Sequence, residues 1–216
     1  MKKVILFDLD GTILDTLEDL TMASNYVLRY FELPLISIQE ARSFLGYGAE
    51  HFISKSLGKR QDLLEQALKI YKPYLETHSD ILTKPYYGIS EVIHKLGLMC
   101  SLGVVSNKHQ EAVDFIVNKY FSKAFDVVIG QQEGLPKKPH PASLFKAMEP
   151  FFETGVKISD AIYIGDSEVD ILTAQDAGMD VIAVTWGFRD KAYLESFKPT
   201  YIADAPSDIL KILGVK

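Results

Sequence analysis

The stretch Lys3-Val4-Ile5-Leu6-Phe7-Asp8-Leu9-Asp10-Gly11-Thr12 restricts the fold more than any other part of the chain. Val4 to Phe7 is an unbroken apolar run of the kind found in strands buried on both faces, and such strands belong to parallel sheets covered by helices. The run then stops at two carboxylates. Because side chains alternate along an extended backbone, Asp8 and Asp10 project to the same side where the strand ends. Gly11 lets the backbone turn there. Two like charges so close together at the end of a buried strand need a shared proton or a cation, and a metal ion is the usual compensator.

Downstream of this strand, Leu17, Leu20, Ala23, Val27, Leu28 and Phe31 recur at helical spacing after a polar Asp15-Thr16 start that could cap a helix. Shorter helical segments follow at Ile38 to Phe44 and Ala49 to Leu57, with Gly46-Tyr47-Gly48 between them. Leu63, Ala67, Ile70, Tyr71 and Tyr74 mark a further amphipathic helix. Residues 17 to about 80 offer no strong strand candidate. The pattern changes at Pro85, where helices begin to alternate with short β-rich runs: Met99 to Val105, Val127 to Gly130, Ala161 to Ile164, Val181 to Val184 and Tyr201-Ile202. Such alternation predicts an α/β fold, a Rossmann-like parallel sheet with helices on both faces. Residues 1–15 and 82–216 then form the core, and residues 16–81 an all-helical cap inserted into it. In such sheets ligands bind beyond the carboxyl ends of the strands, where the polar candidates of this chain fall.

Composition removes several function classes. A net charge of −6 with scattered basic residues leaves no electrostatic footprint for nucleic acid. One cysteine, Cys100, allows neither an internal disulfide nor a thiolate metal cluster. Lys2-Lys3 and the apolar run after it resemble the start of a signal peptide, but Asp8 and Asp10 interrupt that run too early. With no apolar run of membrane-spanning length, the chain reads as a cytoplasmic protein with no membrane partner.

Asp-x-Asp-Gly-Thr, continued here by Ile13-Leu14-Asp15-Thr16, resembles the signature of the haloacid dehalogenase superfamily, and of its phosphatases in particular. The resemblance implies Asp8 as a nucleophile that takes up a phosphoryl group, and Asp10 as the acid that protonates the leaving oxygen and later activates water. Dehalogenases of the superfamily lack the second acid, and phosphonate-cleaving members replace it with a small residue. Those members use a cap lysine, for which Lys55 is available, but Asp10 speaks against that chemistry.

Later motifs fall in the superfamily's order. Ser106 and Asn107 follow an apolar strand and resemble its second motif, implying contacts to phosphate oxygens. In the loop Gly134 to Pro141, either Lys137 or Lys138 could offset the charge of Asp8. The superfamily's lysine stands directly before a proline, which implies Lys138. Gly165-Asp166-Ser167-Glu168-Val169-Asp170 follows another strand. With a helix starting at Ser167, Asp166 is its N-cap and a ligand for Mg²⁺, which prefers hard oxygens, while Asp170 one turn on orients Lys138. The implied metal set is Asp8, the Asp10 carbonyl and Asp166.

Pro85-Tyr86-Tyr87-Gly88 and Phe44-Leu45-Gly46-Tyr47-Gly48-Ala49 extend the resemblance to the phosphoglycolate-phosphatase-like branch; the Ser-Arg pair usual in β-phosphoglucomutase relatives is missing. The implied activity is Mg²⁺-dependent hydrolysis of a small phosphorylated metabolite, such as phosphoglycolate. The rivals are a phosphotransferase or sugar phosphomutase of the same superfamily, and a phospho-accepting signalling module.

Overall fold

The computed structural model describes residues 2–78 and 80–215. Strand β1 (Val4–Phe7) runs into the Asp8 turn, and β2 (Leu14–Asp15) leads into four helices: α1 (Leu17–Tyr30), α2 (Ile38–Phe44), α3 (Ala49–Leu57) and α4 (Leu64–His78). The chain returns through β3 (Lys84–Pro85). There follow α5 (Ile89–Gly97), β4 (Ser101–His109), α6 (Gln110–Phe121), β5 (Val127–Gln131), α7 (Ala142–Phe152) and β6 (Ala161–Gly165). The remaining elements are α8 (Glu168–Ala177), β7 (Asp180–Val184), α9 (Lys191–Ser196), β8 (Tyr201–Ala203) and α10 (Pro206–Ile212).

Six strands form one parallel sheet in the order β5-β4-β1-β6-β7-β8. The alternation of β1 explains the two layers around it. Ile5 and Phe7 pack with apolar residues of α5, α6 and α10, whereas Val4 and Leu6 pack with those of α7, α8 and α9. Each fully buried side chain of this kind contributes roughly 1.5–3 kcal/mol, which is why the run carries no polar residue before Asp8. After β1 the chain builds β4 and β5 on one side of it, then crosses to build β6, β7 and β8 on the other. The reversal leaves a crevice beyond the carboxyl end of β1.

Helices α1 to α4 bury a separate apolar cluster that includes Leu20, Leu28, Phe52, Ile53 and Tyr71, with Phe188 reaching in from beyond β7. The sequence pattern does not reveal how this segment is tied down. The two-residue strands β2 and β3 pair antiparallel, Leu14 with Pro85 and Asp15 with Lys84, so the outgoing and returning chains lie side by side. Helix α1 begins after Thr16 without a side-chain cap. Its first turn holds the buried Asp19, whose carboxylate accepts the Leu82 N–H at 3.0 Å and the Thr83 N–H at 2.8 Å. The positive end of the helix dipole favours that charge. Among the described residues, no helix is long and apolar enough to cross a membrane.

Asp19→Ala leaves two amide donors without their acceptor, so it is expected to lower unfolding stability by on the order of 2 kcal/mol. Asp19→Asn keeps an acceptor and is expected to lose less. Urea denaturation of the three proteins gives the ranking; equal midpoints for Asp19→Ala and the parent would show that the clamp contributes nothing.

Candidate active site

Four neighbouring strands deliver the site. Asp8 follows β1 and its N–H donates to the Ile164 carbonyl of β6 at 2.8 Å. Lys138 arrives on the loop between β5 and α7, and its buried ammonium donates to Asp8 Oδ1 at 2.8 Å, Asp170 Oδ1 at 2.7 Å and the Tyr163 hydroxyl at 2.7 Å. Tyr163, inside β6, donates in turn to the Val105 carbonyl at 2.8 Å. Lys137, the other lysine of that loop, instead lies 3.5 Å from Glu50 of α3.

Asn107 fastens this loop in place. Its side-chain carbonyl accepts the Lys138 N–H at 2.9 Å, and its amide donates to Lys138 O at 3.0 Å and Gly46 O at 3.1 Å. Strand β4 does not stop at Val105, as the apolar pattern predicts. It continues to His109 across a shift in its pairing with β5, and Ser106 sits at that shift. Ser106 Oγ accepts the Lys108 N–H at 3.1 Å, leaving its hydroxyl proton for another acceptor. The Lys108 ammonium donates to Asp10 Oδ1 at 3.0 Å. Lys108 was not among the predicted residues, although it alternates with Ser106 along the strand and so shares its side.

Helix α8 begins at Glu168, so Ser167 rather than Asp166 stands at its N-cap. The reason is local: Asp170 Oδ2 accepts both the N–H and the hydroxyl of Ser167, at 3.1 and 2.6 Å, which closes the cap around Ser167. Asp166 therefore stands free of the helix end, accepting from Thr12 Oγ1 at 3.2 Å and the Phe188 N–H at 2.7 Å. Two glycines make room for it. A Cβ on Gly11, whose φ is +91°, would lie 2.4 Å from Asp166 Oδ2, and one on Gly187 would lie 2.3 Å from Asp166 Cβ.

Asp8, Asp10, Ser106 and Asn107 line one cavity of about 610 Å³, walled by α3, α4 and α6. Trp186 donates its indole N–H to Thr12 O at 3.0 Å. Behind the site lies an ion pair that the sequence did not suggest. Buried Arg189 donates to Glu168 at 2.7 and 3.1 Å and caps the end of α2 through the carbonyls of Arg42 (3.0 Å) and Leu45 (2.8 Å). Arg42 donates back to Gly187 O at 2.9 Å.

The family model for haloacid dehalogenase-like hydrolases matches residues 5–184. The chain belongs to this family. It is 29% identical to pyrophosphatase PpaX of Bacillus mycoides, with 97% of this chain and 96% of the relative aligned. It is 28% identical to a phosphoglycolate phosphatase of Vibrio parahaemolyticus, over 99% and 96% of the two chains. Among crystal structures, a protein of Lactobacillus delbrueckii is 32% identical and superposes with a TM-score of 0.92 over 99% of each chain. A haloacid dehalogenase-like family hydrolase of Streptococcus pneumoniae is 26% identical, with a TM-score of 0.88 over 98% of each.

Electrostatics of this hydrolase centre on three buried carboxylates, Asp8, Asp166 and Asp170, whose oxygens lie within 4.8 Å of one another. One ammonium, Lys138, faces them. Burial works against the Lys138 charge, but Asp170 and Asp8 outweigh it and hold the lysine above its usual range. Burial pushes Asp8 well above the usual carboxylate range despite the lysine, and Asp170 and Asp166 add to the effect. Burial, with the charge of Asp170 behind it, raises Asp166 to about 7. The cluster is thus short of positive charge. Asp170 already accepts three hydrogens, from the Lys138 ammonium and from the N–H and hydroxyl of Ser167, whereas Asp8 and Asp166 retain lone pairs. Hard carboxylate oxygens with spare acceptor capacity in a site short of cations fit a divalent metal ion.

The titration of Asp166 gives a test in metal-free protein. The carboxyl holds a proton up to pH about 7 when folded but releases it near its ordinary value of 3.8 when unfolded, so stability present below pH 3.8 is lost as pH rises through about 7. The thermal midpoint of Asp166→Asn should therefore fall less steeply than that of the parent between pH 5 and about 7. Added Mg²⁺ should raise the parent midpoint more at pH 8 than at pH 5. Parallel pH profiles for parent and variant would count against the assignment.

Proposed function

We propose that this hydrolase is a Mg²⁺-dependent phosphatase that cleaves small phosphorylated metabolites in the cytoplasm through a phosphoryl group carried on Asp8. The observation that carries this reading is the Lys138 ammonium, bridging Asp8 at 2.8 Å and Asp170 at 2.7 Å, with Asp8 itself lining a cavity together with Asp10 and Ser106. The relatives' names, a pyrophosphatase and a phosphoglycolate phosphatase, support chemistry at phosphorus.

In the first step the oxygen of Asp8 not engaged by Lys138 attacks phosphorus. The ester bond breaks with its electron pair, and Asp10 gives a proton to the departing oxygen. In the second, Asp10 takes a proton from water as that water attacks phosphorus, and the bond to Asp8 breaks. Lys138 and the Ser106 hydroxyl hold phosphoryl oxygens, and Asn107 keeps the Lys138 loop in register. Lys108 fixes Asp10 against the cavity wall. Asp170 and Tyr163 orient the lysine. Mg²⁺, when held by the Asp8 and Asp166 carboxylates and the Asp10 carbonyl, supplies further charge neutralisation at the phosphoryl oxygens.

Within this reading, residues 16–81 are a cap on a core of residues 1–15 and 82–216. The separate apolar cluster of α1 to α4 supports this, as does the β2–β3 pairing at the boundary. A cap over the carboxyl ends of the strands keeps bulk water from the phosphorylated aspartate.

Asp8→Asn is expected to abolish turnover while leaving the circular dichroism spectrum unchanged, since an amide of the same shape cannot attack phosphorus. Retention of more than a small fraction of the activity would sink the covalent route. Asp10→Asn should slow alkyl phosphates much more than p-nitrophenyl phosphate, whose leaving group needs no proton; equal losses would remove Asp10 as the acid. Between the two lysines, Lys138→Ala should cost ~10²–10³ in kcat and Lys137→Ala far less. The opposite ranking, measured by phosphate release, would assign the cation to Lys137.

A further inference from the structure

The cavity lining is apolar to an extent that a compact anionic substrate does not require. Leu20, Leu45, Phe52, Leu68, Leu75 and Phe115 all contribute to it. They come from different parts of the chain: α4 contributes Leu68 and Leu75, seven residues apart on one face, and α6 contributes Phe115 from the opposite side. Phe115 is 53% exposed although aromatic, and the side it presents to the cavity is the one that a ligand would cover.

Carboxylates outnumber lysines in the cavity lining, where Asp8, Asp10, Glu50, Glu76 and Glu111 stand against Lys72, Lys108 and Lys137. Lys108 is bound to Asp10 at 3.0 Å and Lys137 lies 3.5 Å from Glu50, which leaves Lys72 of α4 as the third lysine of the lining. No arginine among the described residues contributes to it. A substrate with a second anionic group, a carboxylate as in phosphoglycolate or a phosphate as in pyrophosphate, would meet a lining in which acids outnumber lysines and two of the lysines are already paired. Size points the same way. At about 30 Å³ per water-sized group the cavity, about 610 Å³, holds on the order of twenty such groups, whereas phosphoglycolate and pyrophosphate each have about nine non-hydrogen atoms.

Resting on the phosphatase reading above, we infer that the preferred substrates are phosphate monoesters of alcohols with an uncharged, largely apolar body of aromatic size, whose body lies between Phe115 of α6 and the Leu68–Leu75 face of α4. The phosphate sits at Asp8, Ser106 and Lys138, and the apolar wall selects the alcohol. Specificity then differs from what the relatives' names suggest, because the lining of this cavity provides hydrophobic area where those substrates need surplus positive charge.

The test compares 2-phenylethyl phosphate with ethyl phosphate, esters of closely similar leaving-group acidity, alongside phosphoglycolate and pyrophosphate. The expected result is a kcat/KM for the phenylethyl ester at least about tenfold above that of the ethyl ester and above both compounds that carry a second anionic group. Phe115→Ala should shrink the phenylethyl-to-ethyl ratio at least about threefold, and Phe115→Leu should restore part of it. A ratio near one, or faster cleavage of phosphoglycolate or pyrophosphate than of the phenylethyl ester, overturns the inference and leaves the phosphatase reading standing. If no phosphate is released from any compound, the phosphatase reading fails instead. Calorimetric binding of 2-phenylethylphosphonate and ethylphosphonate then decides the inference by itself: at least about tenfold tighter binding of the former supports it, and equal binding overturns it.

Discussion

One buried ammonium among three buried carboxylates sets the terms for the region beyond the carboxyl ends of the central strands. Removing four charges from water is costly, and the cost is recovered only if each partner is held at hydrogen-bonding distance and further donors satisfy the remaining lone pairs. The parts around Lys138 do this. Tyr163 accepts one of its hydrogens, Asn107 pins the backbone on both sides of its Cα, and Ser167 occupies the far oxygen of Asp170. The close approach of Gly11 and Gly187 to Asp166 belongs to the same arrangement, since neither position has space for a side chain. A site built this way is rigid before any substrate arrives, which is what electrostatic catalysis needs.

Much of this was legible in the sequence because it is written in contiguous, ordered signals. The apolar run Val4 to Phe7 gave the central strand, and the alternation after Pro85 gave the parallel sheet. The acids after β1 and β6 fall beyond strands that lie side by side in the sheet, and the lysine before a proline follows β5, which β4 separates from β1. Other features stayed hidden for physical reasons. A two-residue strand such as β2 or β3 is too short to carry a period. The N-cap of α8 passed to Ser167 because a side chain three residues downstream competes for that position. Tyr163 reads as one more residue of a buried strand, and only the fold shows that its hydroxyl ends against Lys138. Lys108 and the Arg189–Glu168 pair lie far in sequence from the groups they serve, so no local pattern marks them.

The link between the helical segment and the sheet is polar where it is nearest the site. Arg189 and Arg42 reach across in opposite directions, each donating to backbone carbonyls of the other side, and Glu168 neutralises the first of them. Glu168 belongs to the same turn of α8 as Asp170 and follows Asp166 by two residues. The helical segment is therefore tied, through Arg189, to the same short stretch of chain that carries Asp166 and Asp170. The apolar wall and the charged floor of the cavity are registered against each other through it.

The β2–β3 ribbon has a consequence for how such a molecule can change over time. Because departure and return are one hydrogen-bonded pair, Leu14 with Pro85 and Asp15 with Lys84, the sheet meets everything between them as a loop already closed at its base. The entropy of closing a loop grows only with the logarithm of its length. Residues between these anchors can be lengthened, shortened or exchanged for another bundle at little cost to the sheet, provided the two anchors stay paired. Lineages can thus acquire new preferences by replacing one cassette while the machinery beneath is inherited unchanged.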